Sequence, residues 1–357
     1  MKFYTKQRQY TCGIDLHARS LYVCILDDTG QTVVHKQIKA SPEALLKLIA
    51  PYQADLVIGV ECMFSWYWVA DFCADHDIEF VLGHALYMKA IHGGKAKNDK
   101  IDSDKIARLL KGGMFPMAYV YPRQWRGTRD LMRRRMRLMR QRAELIAHIH
   151  NTLSQYNLPP NTENLRYAKH REPLRELFPD PSVQRSIDLD LDRIDFYDQQ
   201  LSQLEWYLKK TAKSVDNNVI IRLKSIHGIG DILSLVMLYE IHEIDRFKRV
   251  QDFVSYCRLV KCQRESAGKI YGTAGAKIGN AYLRWAFGEA AVLFLRGNPD
   301  AKQWLEKKTR KYNKAKALTI LAHKLGRAVF YMLKRKTLFD QNKFLALGEA
   351  RRLGKRS

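Results

Sequence analysis

From Tyr10 to Gly83 the apolar positions come in short runs broken by turn residues. YTCGIDL and LYVCIL are β-rich, and the DDTG that follows them is a hairpin turn leading into QTVVHKQI. A helix over SPEALLKLIAPY, a strand over DLVIGVE and a helix carrying Trp66, Trp68 and Phe72 come next. A strand over IEFVLG and a helix beginning near Asp99 complete the set. Three antiparallel strands followed by β-α units predict a mixed sheet with helices on its faces, an α/β domain over residues 1–125.

At Arg126 the period changes. Leu131, Leu138 and Leu145 recur every seven residues, shadowed by Met132, Met139 and Ile146, which is the pattern of a helix seam. Eight arginines between Arg126 and Arg142 occupy the other faces. Pro159, Pro160, Pro173, Pro179 and Pro181 then punctuate a loop-like stretch. A second stripe follows at Ile194, Tyr197, Leu201, Leu204 and Leu208, on a helix whose first half carries Asp188, Asp190, Asp192, Asp195 and Asp198. An Arg-rich and an Asp-rich helix with matching seams would pair, within one chain or between two. Residues 126–215 therefore read as a coiled-coil or helical arm, and dimerisation fits it.

Residues 216–345 read as a mainly helical third domain, ahead of a basic tail at 346–357. LKSIHGIGDILSLVMLYEI gives a helix, a Gly-x-Gly turn at Gly228 and Gly230, and a second helix, which is a helix-hairpin-helix signal. Amides at such a turn can grip a phosphate without reading sequence. An ordinary glycine turn between packed helices fits the same letters. The stretch from Lys302 to Lys336 is helical and densely basic, a second candidate nucleic-acid face.

Charge narrows the partners. Lys plus Arg number 61 against 37 acids over 357 residues, a formal net charge of +24. That excess points to a polyanion, with nucleic acid first, because neutralised phosphates release counterions. No run approaches the roughly 18 apolar residues of a membrane-spanning helix, and MKFYTKQRQYTC has no signal-peptide core, so a cytoplasmic protein is expected. The six cysteines, Cys12, Cys24, Cys62, Cys73, Cys257 and Cys262, form no C-x-x-C pair. Structural zinc is not indicated, and they read as small buried hydrophobes.

In so basic a chain the acids of KNDKID stand out. Asp99 and Asp102, three apart, project from one side of a helix. A purely structural role would make Asp99 the N-cap with Asp102 at N3. Two further acids favour another role. Asp15 sits between Ile14 and Leu16 in a strand, and Glu61 ends the apolar run DLVIGV; an acid among strand hydrophobes must be paired, metal-bound or at an edge. Carboxylates brought together would repel by roughly 4 kcal/mol per close pair at intermediate dielectric. A divalent cation resolves that conflict, and an oxygen-only donor set suits Mg2+ (or Mn2+). Asp104 lies off this face. An acid on the first strand, one ending the fourth and two on a late helix resembles the ribonuclease-H-like fold of the RuvC type, as a DEDD set.

A second constellation lies in YCRLVKCQRESAGKIYGTAGAKIGNAYLRWAFGEAA, where Ser266 is bracketed by Arg264, Gly268 and Lys269. Most serines in polar loops are turn residues. A serine can instead attack a phosphodiester where cations stabilise the charge.

The DEDD acids together with SIHGIG, RFKRVQDFVSYCRLV and ESAGKIYGTAGAKIGNAYLRWA resemble, in this order and over essentially the whole chain, the insertion-sequence transposases of the IS110 family, relatives of Piv-type DNA invertases. The resemblance implies that Asp15, Glu61, Asp99 and Asp102 are magnesium-binding catalytic carboxylates. It also implies that Ser266 attacks DNA to form a covalent phosphoserine intermediate. It further implies donor and target DNA as substrates, and a structured non-coding bridge RNA that pairs with both. Dimers that assemble into tetramers are implied, with one copy's acids joined to another's serine, in the nucleoid of a prokaryotic cell. In that family glycine usually follows the serine directly and the acid motif often reads Lys-Thr-Asp. Here Ala267 precedes Gly268, and the motif is Lys97-Asn98-Asp99. Arg133, Arg134, Arg135, Arg137, Gly228, Gly230, Arg264 and Lys269 are the candidate nucleic-acid contacts. Two rivals remain: a metal-dependent junction nuclease in which Ser266 is only a loop residue, and a non-catalytic nucleic-acid-binding protein with structural acids.

Overall fold

The computed structural model describes residues 2–91, 98–159, 163–213, 217–274 and 278–346. The chain divides into two compact units, Met1–Gln124 and Trp125–Ser357.

In the first unit a short strand β1 (Phe3–Tyr4) precedes three consecutive antiparallel strands, β2 (Tyr10–Leu16), β3 (Ser20–Leu26) and β4 (Thr32–Lys39). Helix α1 (Pro42–Ile49) is capped by Ser41 and leads to β5 (Leu56–Glu61). Helix α2 (Trp66–Asp75), strand β6 (Glu79–Gly83), helix α3 (Ala85–Ile91) and helix α4 (Asp99–Lys111) follow, and β7 (Phe115–Pro116) returns to pair with β1. The main sheet runs in the order β4-β3-β2-β5-β6, with β2, β5 and β6 parallel. This is the mixed sheet expected from the sequence, and it is compatible with a ribonuclease-H-like domain.

Period-two alternation gives the sheet two apolar faces. On one, Ile14, Leu16, Val23, Ile58 and Val60 pack with Leu45 and Ile49 of α1 and with Trp66, Val69 and Phe72 of α2. On the other, Val57 and Val81 pack with Ile106, Leu109 and Leu110 of α4. Of the cysteines, Cys12, Cys24, Cys73 and Cys257 are buried free thiols as expected, Cys62 is exposed, and the Cys262 side chain lies outside the described residues.

The second unit opens with two long helices, α5 (Arg123–Gln155) and α6 (Pro181–Lys213). They pair antiparallel within one chain. His148 meets Asp190 at 2.5 Å, Arg142 meets Asp198, and Arg135 meets Glu205 at 2.6 Å, so positions rising along α5 match positions falling along α6. Ile149 and Leu153 pack against Ile187, Leu191 and Ile194 at the far end. The charge matching differs from a simple Arg-rich against Asp-rich pair. Asp192 and Asp195 are taken by Arg175 and Arg171, which sit in the segment joining the helices. Pro160 lies outside the described residues.

Helices α7 (Asn217–Lys224), α8 (Asp231–Ile241) and α9 (Val250–Tyr256) follow, then the hairpin β8 (Cys262–Ser266) and β9 (Lys269–Ala274). Helices α10 (Ala281–Leu293), α11 (Pro299–Thr309), α12 (Lys314–Arg335) and α13 (Gln341–Ala346) complete the fold. From Leu233 to Ile241 every residue of α8 is buried, because α8 runs through the middle of this unit's core. Met132 and Met136 of α5 and Leu208 and Ala212 of α6 belong to the same core, so the base of the helical pair is part of it. The basic tail lies outside the described residues from 347 onward.

Glu240 stands in that core at 1% exposure. Its carboxylate accepts from Arg133 Nε at 2.6 Å, Arg129 Nη2 at 3.0 Å and Asn280 Nδ2 at 2.7 Å. Burial pushes its pKa up, but the Arg133 hydrogen bond, the charges of Arg129 and Arg133 and the Asn280 amide outweigh that and hold it below the ordinary value. Removing one member of a buried ion group leaves uncompensated charge, so Glu240→Ala is expected to cost about 3–5 kcal/mol in urea unfolding. A depressed carboxyl contributes stability that is present above its unfolded pKa and lost as pH falls through the folded one. Wild type should therefore lose stability on the acid side of pH 4.5, the ordinary value, relative to Glu240→Gln.

Candidate functional site

Alternation along β2 puts Gly13 and Asp15 on the face opposite Ile14 and Leu16, and His17 follows directly after the strand's end. Helix α4 lies on that face at unusually close range. A Cβ on Gly13 would stand 2.3 Å from both Ser103 O and Ala107 N, so only glycine admits the helix there. Asp99, Ser103 and Ala107 are spaced one turn apart, and the same contact brings the start of α4 down beside Asp15. His17 Nε2 lies 3.2 Å from Asp15 Oδ2 and 3.3 Å from Asp99 Oδ1. One ligand atom from each of the three falls within 4.8 Å of the others.

Glu61 joins this face by register. Gly13 pairs with Gly59 and Ile14 with Val60 in the parallel β2–β5 ladder, so Glu61 comes next, beside Asp15. Gly59, two residues earlier, fits under Leu110 of α4 and marks which face Glu61 shares. Asp102 sits one turn into α4, with its carboxylate 3.3 Å from Lys105 Nζ. Asp104 points elsewhere, bonding Arg108 Nε at 2.8 Å and accepting from the Cys24 thiol. Burial raises the Asp15 pKa above its ordinary value; His17 lowers it by charge and hydrogen bond, and Asp99 and Asp102 raise it again.

The capping role considered for Asp99 is corrected. Asn98 is the N-cap, its Oδ1 accepting from Ile101 N at 2.8 Å, which leaves Asp99 as the first helical residue facing His17. Lys97 lies outside the described residues. His17 is the member that sequence reading missed. Its one signal was its place directly after the strand run that carries Asp15. The donor set fits a divalent cation: carboxylate oxygens and one imidazole nitrogen converge, and a cation would offset the mutual repulsion of Asp15 and Asp99.

Ser266 occupies a different setting. It closes the β8–β9 hairpin opposite Lys269, through a two-residue turn in which Ala267 (φ +49°) and Gly268 (φ +73°) are both left-handed. Hairpins favour such turns because their twist matches the strands, although a non-glycine residue there carries about 1 kcal/mol of strain. Ser266 and Lys269 are both exposed, and directly opposed residues have Cβ atoms about 5 Å apart. The Arg264 side chain lies outside the described residues.

Residues before and after the hairpin segment also meet. Asn280 N donates to Tyr256 O at 2.6 Å, Arg258 Nε donates to Gly279 O at 2.9 Å, and Asn280 reaches Glu240. Gly279 has φ +93°, and a Cβ there would stand 2.6 Å from Tyr256 O.

The candidate phosphate contacts divide. Arg133 is held by Glu240 and stacks over Tyr282, and Arg135 is 7% exposed and held by Glu205. Arg134 and Arg137 are exposed. Gly228 (φ +83°) has a packing reason, because a Cβ there would meet the backbone of Leu293 at 2.6 Å. Gly230 borders open space as the N-cap of α8, whose first turn carries Asp231 paired with Lys224 at 2.7 Å. Lys302, Lys307, Arg310, Lys314 and Lys316 are exposed on α11, α12 and their connection. Lys324 is turned inward over Trp304 and Phe344, and burial brings its pKa down to about 8. Among the described residues no helix is long and apolar enough to cross a membrane.

Residues 12–158, which include Asp15, Glu61, Asp99 and Asp102, match a family model for DEDD transposases of the IS110 type, described as a transposase. Residues 221–306, which include Ser266, match the model of the transposase IS116/IS110/IS902 family. The chain is also similar to the transposase for insertion sequence element IS1111A of Coxiella burnetii. The two are 22% identical over 334 residues, covering 92% of this chain and 90% of that protein.

Gly13→Ala should push α4 off β2 and cost about 2 kcal/mol or more, measured as a lower urea midpoint. Asp15→Asn removes a half-buried charge crowded by Asp99 and Asp102. In EDTA it should raise Tm, on the order of 1 kcal/mol of added stability, and added divalent cation should then stabilise wild type more than the variant.

Proposed function

Because the chain belongs to the IS110 family of transposases, we propose that it moves an insertion sequence by metal-assisted, serine-mediated DNA strand exchange. The observation that carries this reading is the convergence of Asp15 and Asp99 at one end of α4, with Glu61 on the same sheet face. Asp15, Glu61, Asp99 and Asp102 hold a divalent cation, Mg2+ (or Mn2+). Bound there, the cation supplies Lewis-acid stabilisation of charge on a phosphodiester.

Ser266 Oγ attacks the phosphorus. An O–P bond to the serine forms while the bond from phosphorus to the departing deoxyribose oxygen breaks; the serine proton passes to water and the departing oxygen ends protonated. Rejoining runs in reverse, with the hydroxyl of another strand displacing Ser266. Lys269, opposite Ser266 in the hairpin, offers positive charge to the developing phosphorane. Sequence choice falls to base pairing with a structured guide RNA, and the protein holds backbone, as its net charge of +24 suits it to do. Dimers that form tetramers complete the proposal.

Trapping tests it. The protein is incubated with its element's DNA junction, Mg2+ and the co-expressed flanking RNA, then denatured. A DNA-linked protein band is expected, lost in both Ser266→Ala and Asp15→Ala. Free cleaved DNA that survives Ser266→Ala but not Asp15→Ala would make the protein a hydrolytic nuclease. Binding without Mg2+ dependence and without cleavage would leave only a nucleic-acid-binding role.

The arginines separate in a salt titration. The double variant Arg134→Ala and Arg137→Ala should keep wild-type stability and reduce the slope of log affinity against log salt by about 2, one phosphate each. Arg133→Ala should instead lower stability, as a partner of buried Glu240.

A further inference from the structure

The acidic cluster carries a nitrogen donor that the four-carboxylate set does not contain, and its position is specific. His17 stands just past the end of β2 and lies between the carboxylates of Asp15 and Asp99. An ion with bonds of about 2.1 Å and octahedral geometry holds adjacent donors about 3 Å apart. The His17–Asp15 and His17–Asp99 separations of 3.2 and 3.3 Å are close to that spacing. His17 is half exposed, with 47% of its side chain accessible, so an ion can reach it without unfolding the sheet.

We propose that His17 is a direct ligand of the cluster's cation through Nε2, and that this makes the site selective for Mn2+ over Mg2+. Mg2+ keeps to oxygen donors and gives up its water reluctantly, whereas first-row transition ions gain from imidazole. The inference rests on the metal-centre reading above and deepens it, since it names the ion class and the residue that chooses it.

The test is binding, not turnover. Mn2+ is titrated into the full-length protein and free Mn2+ is followed by its EPR signal; Mg2+ is measured by competition. Wild type is expected to hold Mn2+ about tenfold or more tighter than Mg2+. His17→Ala should lose about tenfold in Mn2+ affinity while Mg2+ affinity changes less than about threefold. His17→Asp, which restores an oxygen donor, should recover binding with the preference moved toward Mg2+. Thermal unfolding of each apo variant checks that the sheet is intact. Unchanged or tighter Mn2+ binding by His17→Ala would overturn the proposal, because His17 would then be a counter-charge that the ion displaces. Mn2+ binding that is equally unaffected by Asp15→Asn would instead show that the ion lies elsewhere, and the metal-centre reading itself would fail.

Discussion

The acidic end of the first unit depends on the separation between α4 and β2. With no side chain at Gly13, the backbone of the helix rests almost on the backbone of the strand. Two carboxylates then face each other across a gap narrow enough for one histidine to touch both. Like charges oppose that approach by a few kcal/mol at intermediate dielectric. The opposing force is ordinary packing: Ile106, Leu109 and Leu110 bury themselves against Val57, Val81 and Phe115, each contributing about 1.5–3 kcal/mol. The apolar side of α4 thus holds its first turn in an arrangement that electrostatics alone would not choose.

The second unit solves a related problem with the opposite sign. A helix bearing nine arginines must enter an apolar core at its base, where Met132 and Met136 are buried. Glu240 is the counter-charge that permits this, taking Arg129 and Arg133 together. Through Asn280 the same carboxylate reaches the first turn of α10, whose cap Asn280 also provides by accepting from Tyr282 N and Leu283 N. One buried acid therefore joins the long helix α5, the central helix α8 and the start of α10. The arginines divide accordingly. Those at 129, 133, 135 and 142 face acids within the chain, while 134, 137 and 140 face solvent.

Much of the first unit was legible because its strands obey period two and its turns fall where acidic and glycine residues cluster. YTCGIDL corresponds residue for residue to β2. The seven-residue recurrence of Leu131, Leu138 and Leu145 likewise marked a long helix, although recurrence alone could not say whether its partner lay in the same chain. That required the joining segment, whose Arg171 and Arg175 claim acids that composition had assigned to α5. Asp15 and Glu61 stood out as misfits, charges where a strand should be apolar. His17 was not, because a histidine beyond a strand's end violates no pattern. The separate uses of Arg133 and Arg134 were hidden for the same reason: a basic run reads alike whether its members point inward or outward.

The serine hairpin shows why position along an element matters as much as composition. A two-stranded ribbon is marginal in water, and Ile270 and Tyr271 are exposed at 60% and 66%, so its strands gain little from core burial. The chain on either side of it meets at Tyr256, Gly279 and Asn280, where glycine is required by the nearby carbonyl. The turn then sets Ser266 opposite Lys269, and Ala267 takes a left-handed conformation that glycine would adopt without strain. The Ser266 hydroxyl at the tip of this narrow ribbon is exposed, with little bulk around it.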